Sequence, residues 1–277
     1  MLIDSHAHLD DKQFDVDRGE VIARAFSSGV KKIINIGAGL GSSGRSVELA
    51  KEHENVWAVV GYHPEYFMKH GAWNEEHRRD LEKLACEEKV VGVGEIGLEY
   101  HSHNGSAVSK DQKKFQKEGL IFQLELAKKL KNPVVIHCRG ERAEIGKNYR
   151  ETSSAYEDVF EIIQKFSSLN FVFHSFGGRL EFAEKVLRKN NILFSFAGNI
   201  TYGKPKSETL EVIRKIPLER IMLDSDCPYL SPVPMRGERN EPSYVKYVAE
   251  KIGEIKGIGV EEVARVTTKN TENFFNI

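Results

Sequence analysis

The sequence is poor in cysteine, balanced in charge and free of long apolar runs. Its 277 residues include three cysteines, Cys86, Cys138 and Cys227, an odd number without C-x-x-C spacing. This usage argues against a disulfide framework and predicts reduced thiols in a cytoplasmic protein. The 40 Lys and Arg residues nearly balance the 41 Asp and Glu residues, for a net charge of −1. No basic field of the whole molecule therefore attracts nucleic acid.

Targeting segments are also missing from the sequence. No apolar stretch approaches the ~20 residues of a membrane helix, so we expect no membrane partner. The first ten residues already contain Asp4, His6, His8 and Asp10, which argues against a signal peptide. No obligate protein partner is evident. The length suits one (β/α)8 barrel, which typically needs about 250 residues, and we expect a single domain over 1–277.

Short apolar runs alternate with helical patterns along the whole chain. Eight runs are typical of strands buried on both faces; they lie at 2–6, 32–37, 56–63, 90–97, 133–137, 171–175, 192–198 and 220–226. Helical patterns lie between them at 17–29, 42–54, 74–88, 113–131, 156–168, 179–190 and 207–217. Such alternation predicts a parallel sheet, and eight units close naturally into a (β/α)8 TIM barrel. A doubly wound open sheet is the alternative.

Six potential metal ligands lie at or just past the ends of these runs. They are His6, His8, Glu95, His137, His174 and Asp226. The C-terminal ends of the strands are where a (β/α)8 barrel keeps its catalytic groups, and imidazole with carboxylate indicates a metal-dependent hydrolase. Because these residues come from the first, fourth, fifth, sixth and eighth runs, they favour a closed barrel over an open sheet. Loops 100–112 and 138–155 follow strand ends and should lie over the same face.

The spacing of these residues suggests individual roles. His6 and His8 are two residues apart, so an extended strand points both to one face. Glu95 could bridge two cations about 3.5–4 Å apart, or could be a rim glutamate paired with an arginine. Asp226 could bind metal and act as the general base, whereas Asp224 lies deeper and should orient a ligand histidine.

Other polar residues carry weaker signals. Glu99, four residues after Glu95, either supports a ligand or has no role. His63 ends the third run and could contact substrate. Arg139 could bind a phosphate oxygen or pair with a carboxylate on the rim. The loop at 234–242, with Arg236 and Arg239, is a candidate for substrate binding or for a structural clamp, although a solvated loop is its simplest interpretation.

Together these motifs resemble one known family. The matching segments are DSHAHLD (4–10), GYHPE (61–65), VGEIGLEY (93–100), VIHCR (135–139), FHSFGG (173–178), DSDCPYL (224–230), RGERNEP (236–242) and TTKNTENFF (267–275). They resemble the TatD family of metal-dependent deoxyribonucleases, within the wider amidohydrolase-like barrels. Coverage is nearly the whole chain, in family order. The family usually has aspartate at the position of Glu99, and glutamate and threonine at those of Asp224 and Ser225.

The resemblance implies a site with two divalent cations, magnesium or manganese before zinc. His6, His8 and Asp226 would hold one cation, His137 and His174 the other, and Glu95 would bridge them. It also implies a DNA or other phosphate-bearing substrate, cut by 3′–5′ exonuclease action on single strands. An alternative is hydrolysis of another ester or amide bond, such as D-aminoacyl-tRNA deacylation, because fold and ligands do not separate these reactions. A binding module without catalysis is disfavoured, since buried ionisable groups are costly without metal.

Overall fold

The computed structural model describes residues 1–101, 107–145, 148–151, 154–202 and 208–277, with the backbone alone for 142–145 and 148–151. Eight parallel strands form one sheet; they are β1 (Leu2–Ala7), β2 (Val30–Ile36), β3 (Val56–Val60), β4 (Val90–Glu99), β5 (Val134–Arg139), β8 (Phe171–Phe173), β9 (Ile192–Phe196) and β10 (Ile221–Leu223). A bridge between Ala7 and Cys227 brings the two sheet edges together. The predicted (β/α)8 TIM barrel is therefore confirmed.

Helices connect the strands in the described residues. They are α1 (Arg18–Ser27), α2 (Leu40–Glu52), α3 (Pro64–His70), α4 (Glu75–Leu84), α5 (Lys110–Leu130), α6 (Ser154–Ile163), α7 (Leu180–Leu187), α8 (Glu208–Lys215), α9 (Val245–Lys256) and α10 (Val260–Phe275). All seven predicted helical patterns are present. The short α3 and the whole of α9 were not predicted, because α3 has only about two turns and α9 follows a polar loop without a strand between. Of α10, only the segment 267–275 was singled out from the sequence. None of the described helices is both long and apolar enough to cross a membrane.

The two long loops have different outcomes. The 138–155 segment is not an irregular loop, because it contains a hairpin of β6 (Arg142–Ile145) and β7 (Asn148–Glu151). Residues 102–106 of the 100–112 loop lie outside the described residues. Helix α5 begins at Lys110, three residues before the predicted start, because Ser109 and Gln112 form a capping box around its N-terminus. Reciprocal capping of this kind satisfies two helix N–H groups that have no partner within the helix.

The strands are apolar on both faces because one face packs inside the barrel and the other packs against the helices, and both are shielded from water. Inside the barrel, aliphatic residues such as Ile34, Val59 and Met222 form a cluster with Phe274 and Phe275 from the end of α10. The other face of the sheet packs beneath the helices in a larger cluster. Burial of this kind contributes about 25 cal/mol per Å² of apolar surface. It leaves only the C-terminal ends of the strands free to carry polar groups into a cavity.

Candidate metal-binding active site

The six side chains that the sequence singled out meet at the C-terminal rim of the barrel. His6 ends β1 with His8 just beyond it, Glu95 and His137 lie within β4 and β5, and His174 and Asp226 follow β8 and β10. A cavity of about 560 Å³ opens over them, within the ~300–1,000 Å³ range of small-molecule sites. The parallel sheet produces this convergence, because all its strands end at the same rim.

Four of these residues form a first group of donor atoms. His6 Nε2 lies 3.1 Å from His8 Nε2. The Glu95 Oε2 atom is 3.5 Å from His6 Nε2 and 3.7 Å from His8 Nε2, and Asp226 Oδ1 is 3.8 and 3.5 Å from the same two nitrogens. Ligand atoms about 2.0–2.2 Å from one ion lie about 3–3.5 Å from each other. The group therefore fits a single cation with little adjustment.

A second group surrounds the other oxygen of Glu95. His137 Nδ1 and His174 Nε2 each lie 2.7 Å from Glu95 Oε1, and the two nitrogens are 3.3 Å apart. The two carboxylate oxygens of Glu95 thus face two different pairs of imidazoles. Strand β4 can approach β5 this closely because Gly97, at φ 151°, has no Cβ; a Cβ there would lie 1.8 Å from the His137 carbonyl oxygen.

His63 lies closer to this second group than the sequence suggested. Its ring centroid is 4.3 Å from that of His137, and its Nε2 is 3.7 Å from Glu95 Oε1. Its Nδ1, however, accepts a hydrogen bond from the Glu65 backbone N–H at the start of α3, at 3.2 Å. In a neutral imidazole the other nitrogen then carries the proton. His63 Nε2 is therefore a hydrogen-bond donor facing the cavity, which suits contact with a substrate oxygen better than metal ligation.

Neighbouring acceptors orient the histidines that are candidate metal ligands. His8 Nδ1–H donates to the Ile36 carbonyl at 2.8 Å, which leaves the Nε2 lone pair facing the first group. His137 Nε2 lies 3.1 Å from Glu99 Oε2, so its Nδ1 faces Glu95. Acceptors that fix the tautomer and ring orientation of a metal-binding histidine raise its basicity. Glu99 therefore lies in contact with His137, which fits support of a ligand, one of the two alternatives that the sequence left open for it.

Asp224 holds the equivalent place behind His174. It is fully buried, and its Oδ2 lies 3.4 Å from His174 Nδ1. The same oxygen accepts hydrogen bonds from Ser195 Oγ at 2.7 Å and from the Ser175 backbone N–H at 3.0 Å. Burial alone would raise the pKa of Asp224, but nearby histidines hold it below the ordinary range. The carboxylate is therefore ionised and aimed at a ligand histidine.

The carboxylates of this cluster favour positive charge on some of its histidines, whereas burial and the neighbouring His174 lower the pKa of His6. Burial lowers the pKa of His8, but the carboxylates of Asp226 and Glu95 raise it to about 9. Burial likewise lowers the pKa of His137, and Glu95 and Glu99 raise it to about 9. Burial raises the pKa of Glu95, but the surrounding imidazoles hold it well below its usual range. Protons on histidines neutralise the buried carboxylates, and a divalent cation can replace them. Mixed imidazole and carboxylate donors fit several divalent metals.

Residues from both ends of the chain hold Asp226 in place. Asp226 is a non-glycine residue at φ 54°, and its N–H donates to the His6 carbonyl at 2.9 Å. The preceding Ser225 donates to Asp4 through its N–H at 3.0 Å and its hydroxyl at 2.6 Å. The buried Asn240 amide donates to the Ser225 carbonyl at 2.6 Å. Sequence reasoning missed this network, although Asp4 continues the alternate spacing of His6 and His8.

The predicted substrate-binding arginines divide into two kinds. Arg139 lines the cavity, and within the described part of the chain no carboxylate lies within ion-pair distance of it. Arg239 instead binds Asp17, the residue just before α1, with its two terminal nitrogens 2.8 and 2.6 Å from the carboxylate oxygens. Arg236 is exposed and lies over the Tyr202 ring, 4.4 Å from its centroid. Neither Arg236 nor Arg239 lines the cavity. The bonds of Arg239 fit the structural clamp, one of the two roles that the sequence left open for this loop, and substrate contact by the two arginines stays a prediction.

The chain is similar over its whole length to known proteins. A family model described as TatD related DNase matches residues 3–276. The metal-dependent hydrolase YabD of Bacillus subtilis, described as uncharacterized, is 37% identical over 279 residues, covering 100% of both chains. The 3′–5′ ssDNA/RNA exonuclease TatD of Shigella flexneri is 26% identical, covering 100% of this chain and 99% of that protein.

A solved structure gives the same result. The crystal structure of YJJV, a TatD homologue from Escherichia coli, superposes with a TM-score of 0.84 at 27% identity, covering 100% of this chain and 98% of that chain. The match thus includes every strand that carries a residue of the cluster. With the family model spanning nearly its whole length, the chain belongs to the TatD-related DNase family and is a metal-dependent hydrolase.

Proposed function

We propose that this hydrolase cleaves the phosphodiester bonds of single-stranded DNA as a 3′–5′ exonuclease, with two divalent cations in the site. The observation that carries the proposal is the position of Glu95, whose two oxygens face two separate pairs of imidazoles. One carboxylate placed in this way suits a pair of cations rather than a single one. The name of the Shigella flexneri relative supports the choice of substrate and polarity.

We assign the six residues of the cluster to the two cations. His6, His8 and Asp226 would hold one cation, His137 and His174 the other, and Glu95 both. When bound, such cations lower the pKa of water and stabilise charge on the attacking and leaving oxygens. Magnesium and manganese suit the carboxylates, and zinc suits the imidazoles. The spread of these ligands over the barrel supports one functional domain over 1–277.

The chain's own side chains would handle the proton and the phosphate. Asp226 accepts the proton of the attacking water as the water oxygen bonds to phosphorus. The bond from phosphorus to the leaving oxygen breaks, and that oxygen takes up a proton from solvent water, while Asp226 returns its own proton to solvent. Arg139 and the Nε2–H of His63 both line the cavity and can donate to phosphate oxygens that carry increased charge during the reaction.

The free state of all three cysteines supports a reducing, cytoplasmic setting.

The test is a metal-titrated assay with single strands labelled at the 3′ or the 5′ end. We expect mononucleotides to be released from the 3′ end of DNA, and Asp226→Asn to abolish the release while circular dichroism stays unchanged. An RNA strand and a D-aminoacyl-tRNA serve as comparison substrates. Hydrolysis of the aminoacyl ester without any cleavage of the strands would overturn the proposal in favour of ester chemistry on the same metals.

A further inference from the structure

One side chain at the mouth of the cavity plays no part in the metal cluster. Tyr229 lies three residues after Asp226 and is 51% exposed, yet it lines the same cavity as His8 and Asp226. Among the described residues, it is the only aromatic side chain in the set of mostly exposed large apolar residues. Leaving such a ring in water forgoes the free energy of its burial. Its position beside the cluster suggests a surface that a ligand covers.

The ring of Tyr229 is held rather than mobile. Its backbone N–H donates to the Asp226 carbonyl at 2.8 Å, and its carbonyl accepts from the buried Asn240 amide at 2.6 Å. Its hydroxyl donates to Asp11 Oδ2 at 3.2 Å. The centroid of the ring is 6.3 Å from that of His8, with the planes at 67°. A ring fixed at both ends loses little side-chain entropy when a ligand packs on it.

The surroundings of the ring indicate what that ligand carries. Lys12, next to Asp11 in sequence, is exposed and lines the same mouth. In the described ranges its ammonium has no ion-pair partner, and Arg139, which lines the same cavity, has none either. A flat apolar ring beside unpaired cations suits a planar aromatic group attached to anions, which is the chemistry of a nucleotide strand.

We propose that Tyr229 is a stacking platform for the nucleobase next to the scissile phosphate, with Lys12 contacting an adjacent phosphate. This rests on the proposed phosphodiesterase function and adds how a strand is positioned. Stacking tolerates every base because each has a π face. The platform therefore explains how a chain of net charge −1 can hold single-stranded nucleic acid without a broad basic surface and without selecting a sequence.

The experiment compares strands with and without the base. Single-stranded oligonucleotides carry a tetrahydrofuran abasic residue at the last or the penultimate 3′ position, and matched strands carry all bases. KM is measured for each strand with the metal-loaded protein while the strand is hydrolysed. Kd is measured with a phosphorothioate version of each strand, which resists hydrolysis. The variants are Tyr229→Leu, which removes the ring, and Tyr229→Phe, which keeps it. Tyr247→Leu, a tyrosine of α9 outside the cavity, is the matched control.

We expect Tyr229→Leu to weaken binding of the full strand by about 5- to 150-fold, the range that loss of one stacked base gives. One of the two abasic strands should bind Tyr229→Leu and the unaltered protein equally. Tyr229→Phe should retain the preference for the base, and Tyr247→Leu should match the unaltered protein. A 2-aminopurine at the sensitive position should lose fluorescence on binding to the protein and to Tyr229→Phe, but not to Tyr229→Leu.

The outcomes separate the two proposals. If the strands are cleaved, but Tyr229→Leu weakens the binding of full and abasic strands equally, the platform is wrong and the nuclease function stands. If the metal-loaded protein neither cleaves nor binds any strand, both proposals fail together. If Tyr229→Phe loses the preference for the base as completely as Tyr229→Leu, the contact is the hydroxyl and not the ring, and stacking is overturned.

Discussion

Replacing Asp224 with asparagine removes a buried negative charge from behind His174 while nearly preserving the shape of the side chain. The amide oxygen can take the place of Oδ2 and keep the hydrogen bonds from Ser195 Oγ and the Ser175 N–H, at 2.7 and 3.0 Å in the unaltered protein. The amide nitrogen then takes the place of Oδ1, which has no hydrogen-bond partner among the described residues. We therefore expect a small cost in unfolding free energy, about 1 kcal/mol.

The effect on metal binding should be larger than the effect on folding. His174 Nδ1 loses the anion now 3.4 Å away, so its Nε2 becomes a weaker donor. Loss of such a partner typically weakens metal affinity 10–100-fold, which is about 1.4–2.7 kcal/mol. Asp226→Asn should be the more damaging change, because it removes both a ligand and the proposed base. Activity should then nearly disappear rather than decline.

Two measurements check this reasoning. Calorimetric titration of the metal-free protein with Mn²⁺ gives the affinity, and urea unfolding in EDTA gives the stability without metal. Asp17→Asn is the control, because Asp17 is a carboxylate just before α1 that binds Arg239 and lies outside the cavity. If Asp224→Asn binds Mn²⁺ as tightly as the unaltered protein, Asp224 does not tune His174. If it impairs steady-state turnover more than Asp226→Asn does, the two aspartates have exchanged roles.

Further predictions concern the metals, the phosphate and the clamp. Activity should vanish in EDTA and return with Mg²⁺ or Mn²⁺; full activity in excess chelator after dialysis would refute a metal mechanism. Arg139→Ala should raise KM and flatten its salt dependence with metal content unchanged, and an unchanged KM and salt slope would contradict its phosphate contact. The pKa values of His8 and His137 are about 9 in the metal-free site, against about 6.5 in the unfolded chain. Protonation of these two histidines therefore stabilises the metal-free folded state fully below about pH 6.5, and this contribution is lost as the pH rises through 9. Metal binding at pH 7.5 should accordingly release protons, measured by calorimetry in buffers of different ionisation enthalpy, and no release would mean neutral histidines. Asn240→Ala should lower the unfolding free energy in urea by about 2–4 kcal/mol, because buried carbonyl groups lose their donor; a change below about 0.5 kcal/mol would exclude a structural role for this amide.

The fold and the convergence of the six cluster residues were predictable from local patterns. Each strand is an apolar run because it packs on both faces, and each ends in polar residues where packing ends. Parallel strands share one rim, so a polar residue at the end of one strand must lie near that at the end of another. For this reason the positions of His6, Glu95 and His174 needed no knowledge of contacts.

Other features depended on contacts that no local pattern reveals. Arg139 and Arg239 look alike in the sequence, but Arg139 lines the cavity and Arg239 binds Asp17, more than 200 residues away in the chain. The tautomer of His63 follows from the hydrogen bond that its Nδ1 accepts from a backbone N–H at the start of α3. This helix was not predicted from the sequence. The roles of these three side chains depend on which residues the folded chain places within ion-pair or hydrogen-bond distance of them.

The sequence by itself determined the barrel and which residues reach its rim, because burial and strand direction act residue by residue along the chain. Only the tertiary structure decided how those residues are held. The left-handed backbone of Asp226 is fixed by Asp4 and His6 at one end of the chain and by Asn240 near the other. Hydrogen bonds between residues more than 200 positions apart form only when the barrel closes, so spacing within a motif cannot specify them.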